Sequence, residues 1–429
     1  MQKVEHLAKE NKELHQAVIE LTVLNDIATT ITSIQTVEEV MDQIVLKCIK
    51  HLGVEEGTIS LLDKENSTDQ FHTMIRRNDS KADRVPINLD NRLKGWMLSN
   101  HKMLFSNDIR TDDRFSMLSE DSFTFHSIVC VPLVVKGNLI GYLAVFNKKD
   151  GHSFTDQDRR LLSIIGSQSA QVIENARLYE GEKALLSLQE EMRMARDIQI
   201  GLLPNHEPEV LGFQISATNL PAKSVGGDYY DFITLSSNKL SFCIGDITGK
   251  GMPAAMLMAN LQATLRSQIM VFEDCINCIK GTNKQLYRST EPSKFATLFY
   301  GILDPAVGRL EYVNGGHDAP LLFRKNSSEP ELLHSTGLLL GVLEETEYLM
   351  ESVTLQPGDV LVLFTDGITE AMNAAGEEFG LENLIDVAKN TYNKPPSEIV
   401  NAILSAVKLH ANKTPQSDDI TLMVIKKCN

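Results

Sequence analysis

The chain has 429 residues, 42% of them hydrophobic and 23% charged, a composition that suits soluble globular protein in two or three domains. Its formal charge of −16 argues against nucleic acid and anionic membrane as main partners. The six cysteines form no secreted framework and no apolar run approaches a span of about 20 residues, so the expectation is a cytoplasmic protein with reduced thiols and no membrane segment.

Met1 to His15 is charged and helical in pattern, without the apolar core of a signal peptide. Over residues 1–25, Val4, Asn11, Val18 and Asn25 share one heptad position and Leu7, Leu14 and Leu21 the other. Buried asparagines in such a seam favour a two-stranded, in-register homodimer, and the simpler alternative is one amphipathic helix packed on the next domain. Helical periodicity continues over residues 26–52 and stops at Gly53. Strands are expected at Thr58–Asp63, Phe71–Arg76, Ser127–Val135 and Leu139–Asn147, the last two joined by the turn Lys136-Gly137-Asn138. Together these describe a small α/β domain on an antiparallel sheet.

From Asp156 to about Pro204 the pattern is helical again, with Leu185, Leu188, Met192, Ala195, Gln199 and Leu202 at 3-4 spacing. That stretch suits a rigid connector or a second dimer seam, ended by Pro204. Residues 206–429 read as a second α/β domain. Its strands are expected at Phe213–Leu220, Asp228–Leu235, Leu240–Asp246, Phe295–Leu303, Arg309–Asn314, Val360–Thr365 and Ile420–Ile425, and its helices at Pro253–Met270 and near 274–290, 381–390 and 397–410. The pair Cys275 and Cys278 lies in one of these helices without a second pair or histidines to complete a zinc site, and reads as plain thiols.

The informative residues of this half are aspartates at strand ends. Asp246 ends one apolar run, Asp366 follows another, Asp418 and Asp419 precede a third, and Asp228 follows Gly226-Gly227. Carboxylates there are poorly solvated and need partners, yet lysine and arginine are scarce around them. Hard cations with oxygen ligands would satisfy several at once. Any single one reads equally as a turn-forming aspartate, a reading that weakens for a set placed alike in one domain.

The segments PAKSVGGDYYD (221–231), GDITGKG (245–251), FATLFYG (295–301), NGGH (314–317), GLLLG (337–341), FTDGITEA (364–371) and DDIT (418–421) together resemble the motifs of stage II sporulation E-type phosphatases of the metal-dependent PPM superfamily. The resemblance implies a β-sandwich flanked by helices that holds two Mn²⁺ or Mg²⁺ ions. It implies that Asp246 bridges both, that the carbonyl of Ile247 binds one, that Asp366 and Asp418 hold the other with Asp419 alongside, and that Asp228 completes a shell directly or through water. Two such ions about 3.5–4 Å apart activate a water for in-line attack on phosphorus, with no covalent enzyme intermediate. The implied activity is a phosphoserine/phosphothreonine protein phosphatase, and the implied substrate a phosphorylated anti-anti-sigma protein of the STAS class. Thr248 stands where many animal and plant relatives have histidine, which leaves the general acid unassigned. Lys223 and Lys250 are candidates to neutralise phosphate or are surface lysines; His317 reads as a loop-fixing residue rather than a catalyst.

Residues 26–178 resemble a GAF domain, carried by SIVCVPLVVKGNLIGYLAVFNK (127–148) and FTDQDRRLLSIIGSQSAQVIENARLYE (154–180), which implies a sensory domain with a possible small-molecule ligand. Asn147, Lys148, Phe154 and Asp158 partly match a cyclic-nucleotide signature, but Arg159 replaces its final Glu, and strand-end and helix-start packing accounts for them as well. Cys130 reads as core rather than a chromophore anchor. ARDIQIGLLP (195–204) resembles the switch segment ahead of sporulation E-type domains. The expected organisation of this α/β (α+β) chain is therefore a coiled-coil helix (1–25), a GAF domain (26–178), a helical linker and switch (179–205) and a phosphatase domain (206–429). A catalytically silent sensor or scaffold is the alternative. GDITGK lacks the spacing of a Walker A loop, and GGDYYDF lacks the context of a GGDEF cyclase.

Overall fold

The computed structural model describes residues 6–428 apart from 8–9, 12–13, 16, 19, 24, 27–35, 63–70, 79–86, 116–124, 292, 326 and 328, with backbone alone at 71–78 and 87–92. Of the expected heptad seam, Val4 lies outside the described residues; Leu7, Leu14, Val18 and Leu21 are helical and exposed. The chain forms two compact units, Met1–Ser187 and Leu188–Asn429.

In the first unit, α1 (Val37–Leu52) starts where the Thr36 hydroxyl accepts from the Glu39 amide and ends at Gly53 in the left-handed region. The strands are β1 (Val54–Leu62), β2 (Phe71–Asn78), β3 (Leu104–Ser106), β4 (Ile128–Val135) and β5 (Asn138–Lys148), with α2 (Ile87–Asn100) between β2 and β3. They form one antiparallel sheet in the order β2-β1-β5-β4-β3. Lys136 and Gly137, both at positive φ, make the two-residue hairpin turn. Side chains alternate between two cores: Val129, Val131 and Leu133 face α1 and the start of α3 (Asp156–Leu202), while Ile128 and Cys130 face the other way, with Leu93 and Met97 of α2. Cys130 is thus core, as expected.

The partial cyclic-nucleotide signature is used for packing. Asn147 accepts from the amides of His126 and Ser127, Lys148 pairs with Asp158 at 2.9 Å, and Asp158 accepts from the Thr155 amide at the start of α3. None of the six cysteines is in a disulfide, and burial pushes the Cys278 thiol up to about 12. Among the described residues no helix is long and apolar enough to cross a membrane.

The second unit holds two antiparallel five-stranded sheets. One has the order β13 (Glu351–Thr354), β10 (Arg309–Gly315), β9 (Ala296–Asp304), β8 (Leu240–Ile247), β7 (Tyr229–Thr234). The other runs β12 (Glu331–Leu332), β11 (Leu321–Phe323), β14 (Val360–Phe364), β15 (Ile420–Lys427), β6 (Phe213–Leu220). Phe242, Ile244, Phe299 and Leu310 of the first sheet meet Leu361, Leu363, Met423 and Ile425 of the second in a shared core. The alternate residues face outward. Cys243, Tyr300 and Val313 pack under α4 (Met252–Ile269) and α5 (Cys275–Ser289); Val360, Val362 and Val424 pack under α7 (Gly380–Thr391) and α8 (Pro396–Ala411). Strands buried on both faces read as continuous apolar runs, which is why periodicity found most of them. The short strands β11, β12 and β13, and the one-turn helix α6 (Asp366–Thr369), carry too few residues for a periodic signal.

Candidate active site

The sandwich brings the strand-end aspartates to one end. β7 begins beside the end of β8, with Tyr229 opposite Gly245, and β14 ends beside the start of β15, with Phe364 opposite Leu422. Asp228 and Asp246 come from the first pair, Asp366, Asp418 and Asp419 from the second. Direct bonds then join the sheets. Asp228, 2% exposed, accepts at one oxygen from the hydroxyls of Thr365 (2.7 Å) and Thr421 (2.6 Å). Asp419 accepts from the amides of Ala222 (2.7 Å) and Gly227 (2.5 Å), and its own amide donates to Asp418 (2.9 Å).

Glycine is required where these segments meet. A Cβ on Gly226 would stand 2.4 Å from an Asp419 carboxylate oxygen, and one on Gly227 2.8 Å from the Ile247 carbonyl oxygen. A Cβ on Gly367 would lie 1.9 Å from the Asp419 carbonyl oxygen. At the end of α3, the buried Gln199 amide donates to the Gly226 carbonyl (2.6 Å) and accepts from the Gly226 N–H (3.0 Å).

Residues 236–427 match the family model described as Stage II sporulation protein E (SpoIIE), and residues 35–174 match that of the GAF domain. The chain thus joins a region that matches the GAF model to one that matches the SpoIIE model. It is similar to Protein IcfG of Synechocystis sp., at 31% identity over 55% of this chain and 41% of that one. It is also similar to Phosphoserine phosphatase RsbU of Bacillus subtilis, at 27% identity over 58% of this chain and 75% of that one. The chain therefore spans under half the length of the first of these relatives. Among solved structures, the SiaA-PP2C domain of Pseudomonas aeruginosa superimposes with a TM-score of 0.51 at 21% identity, covering 57% of this chain and 98% of that one, a likeness of fold.

Electrostatics dominate this end of the SpoIIE-type domain. Burial first, then the charges of Asp366 and Asp418, push the Asp246 carboxyl up to about 6. Burial and the Asp246 charge hold Asp228 well above the usual carboxylate range, and burial with Glu370 and Asp418 raises Asp366. Lys250 offsets part of this charge: its ammonium pairs with Asp418 at 2.7 Å and donates to the Ser417 carbonyl. The Lys223 stem lies 3.7 Å from where a Cβ on Gly251 would sit, and the Lys294 ammonium 3.9 Å from one on Gly249. Among the described residues no three acidic, cysteine or histidine side chains are placed to hold a metal ion as they stand. The donor chemistry nonetheless suits hard divalent cations: mutually repelling, buried or half-buried carboxylates with, among the described residues, one paired lysine.

Several contributing residues were not singled out by sequence reasoning. Thr365 and Thr421 lie inside quoted motifs, but nothing local announces that their hydroxyls serve Asp228. Asp318, next to NGGH, is raised by burial and by Asp366, so it faces the cluster. Thr297 sits opposite Asp246 in the sheet, accepts from the Asp246 amide (3.2 Å) and bonds His317 Nδ1 (2.9 Å). His317 is buried, its amide donates to Asn314, and burial pushes its imidazole down to about 4, so it is neutral near pH 7. That agrees with its reading as a loop-fixing residue. Thr248 exchanges bonds with Phe295, its hydroxyl donating to that carbonyl (3.1 Å) and accepting from that amide (3.2 Å).

Two outcomes follow. The raised carboxyls take up protons more readily in the folded than in the unfolded chain, so their contribution to stability is present at low pH and is lost as pH rises through about 6. In chelator, the melting temperature of the SpoIIE-type domain should fall between about pH 5 and 7, and Asp246→Asn should raise it at pH 7, by on the order of 1–3 kcal/mol of stability. Thermal melts of the two proteins would show it, and a destabilised Asp246→Asn would contradict it. Gly367→Ala should cost about 2–4 kcal/mol in the same melts, because backbone rather than a flexible side chain blocks the new methyl.

Proposed function

We propose that the C-terminal unit hydrolyses phosphoserine or phosphothreonine on a regulatory protein, with divalent cations as cofactors, and that the GAF domain controls it. The carrying observation is the convergence of Asp228, Asp246, Asp366 and Asp418 at one sandwich end, at a charge density that the chain's own cations do not balance. In this reading Asp246 would serve both of two Mn²⁺ or Mg²⁺ ions, the Ile247 carbonyl would serve one, Asp366 and Asp418 the other, and Asp228 would contribute directly or through water. Asp419 stands alongside, its oxygens shared with backbone amides. The bound ions would supply positive charge against the phosphate and an activated water for in-line attack. Lys250, and Lys223 near Gly251, would add positive charge to an otherwise acidic site. Thr365 and Thr421 keep Asp228 oriented.

The proposed substrate is a phosphorylated anti-anti-sigma protein of the STAS class, as the motif resemblance implies; the likeness to RsbU, whose name is that of a phosphoserine phosphatase, supports phosphoserine as the group removed. Regulation is proposed to act through residues 179–205. Gln199 supports this, because it grips Gly226, the neighbour of the segment that holds Asp419 and Asp228. A small-molecule ligand of the GAF domain, and pairing of two chains along the exposed Leu7, Leu14, Val18 and Leu21, would set the state of that helix.

Hydrolysis of p-nitrophenyl phosphate and of a phosphorylated STAS protein should require Mn²⁺ or Mg²⁺, and Asp246→Asn should lower kcat/KM at least about a hundredfold. A silent scaffold would show no turnover in either protein. Gln199→Ala should raise the Mn²⁺ concentration needed for half-maximal p-nitrophenyl phosphate hydrolysis about 10–100-fold. An unchanged Mn²⁺ titration would separate the α3 terminus from the site.

A further inference from the structure

Beside the acidic cluster lies a cavity of about 320 Å³ that the phosphatase reading does not use. Its walls are apolar: Leu220 at the end of β6, Ala371 and Met372 after α6, Leu404 and Val407 on α8, and Ile420 at the start of β15. Two further lining residues, Gly367 and Ser417, are the chain neighbours of Asp366 and Asp418. The cavity and the carboxylates thus share the same two backbone segments. The lip is held in place by polar bonds. Gln416 donates to the carbonyls of Leu220 (2.8 Å) and Asp418 (2.7 Å), and Lys250 donates to the Ser417 carbonyl (2.7 Å). Exposed Lys408, also part of the lining, puts a positive charge at the mouth of a site on a chain of net charge −16.

We infer that this cavity is a specificity pocket for an apolar side chain of the phosphoprotein substrate, close in sequence to the phosphorylated residue; the inference rests on the phosphatase reading. An extended polypeptide advances about 3.3 Å per residue, so a substrate whose phosphate is held by the cations that the carboxylates would bind brings its neighbouring side chains within reach of the lip formed by Gln416 and Ser417. The pocket offers such a side chain an apolar surround, and the Lys408 ammonium suits a chain made anionic by phosphate. Recognition by burial next to the reacting group also gives the enzyme what its acidic surface lacks, a means of holding a negatively charged partner without relying on net charge.

The test uses the full chain with Mn²⁺ and phosphoserine peptides bearing Leu, Phe, Ser or Glu at the flanking positions. Leu or Phe at one position should raise kcat/KM about tenfold over Ser. Ala411→Trp places a large ring from a half-buried lining residue into the cavity and should reduce that preference to about twofold or less. Met372→Ala widens the cavity and should move the preference towards Phe. Indifference of the wild-type chain to the flanking residue overturns the inference, and so does a preference that survives Ala411→Trp in a protein of unchanged melting temperature. If Ala411→Trp does not fold, Met372→Ala decides: an unmoved preference overturns the pocket. p-Nitrophenyl phosphate, which has no flanking residue, separates the two readings. Its hydrolysis without any peptide preference removes the pocket alone, whereas no turnover of any substrate removes the phosphatase reading beneath it.

Discussion

Like charge gathered in a poorly solvated place is the constraint around which the C-terminal unit is organised. Burial, and then the charges of neighbouring carboxylates, raise the proton affinity of Asp228, Asp246 and Asp366. Such a group opposes folding, so the fold must be held by something else. That is the apolar sandwich: one core between the sheets and one beneath each helical layer. The site sits at the end of this scaffold, where strands begin and end and carboxylates reach the edge of solvent. Strain of this kind at one place, supported by a well-packed body, is the usual arrangement of a site built to hold a cation.

The polar contacts around the carboxylates explain how the arrangement persists. Hydroxyls of Thr365 and Thr421 satisfy Asp228, amides of Ala222 and Gly227 satisfy Asp419, and Lys250 neutralises Asp418. Thr297 ties the Asp246 backbone to the neutral His317, and Asn314 fixes the His317 loop. Gly226, Gly227 and Gly367 let backbones approach to distances that a side chain would forbid. Because Gln199 holds Gly226 at both its N–H and its carbonyl, the end of α3 is part of the same bonded network. The apolar cavity behind Gly367 and Ser417 shares backbone with the carboxylates in the same way, so recognition and chemistry would be coupled by construction.

In the first unit, four of the five strands follow from short apolar runs and the Lys136-Gly137 turn from its residue types, whereas β3 is too short to leave a periodic signal. Asn147, Lys148 and Asp158 illustrate a limit of motif reading. They match part of a ligand signature, and in the structure they tie the end of β5 to the start of α3. α2 escaped periodicity because its apolar residues make no clear stripe, and Gly95 and two asparagines interrupt it.

What the amino-acid order determined by itself was local: apolar runs long enough to be strands, the helix after Pro253, and acidic residues placed at strand ends with glycine beside them. These signals are legible because each depends on neighbours a few positions away, and the motif set extended them to a family. Tertiary structure alone decided which groups meet. Thr365 and Thr421 are 137 and 193 residues from Asp228, and the amide of Ala222 is 197 from Asp419. Separations of that size leave no periodic trace in one sequence, since only the pairing of antiparallel strands and the stacking of two sheets bring those atoms into contact.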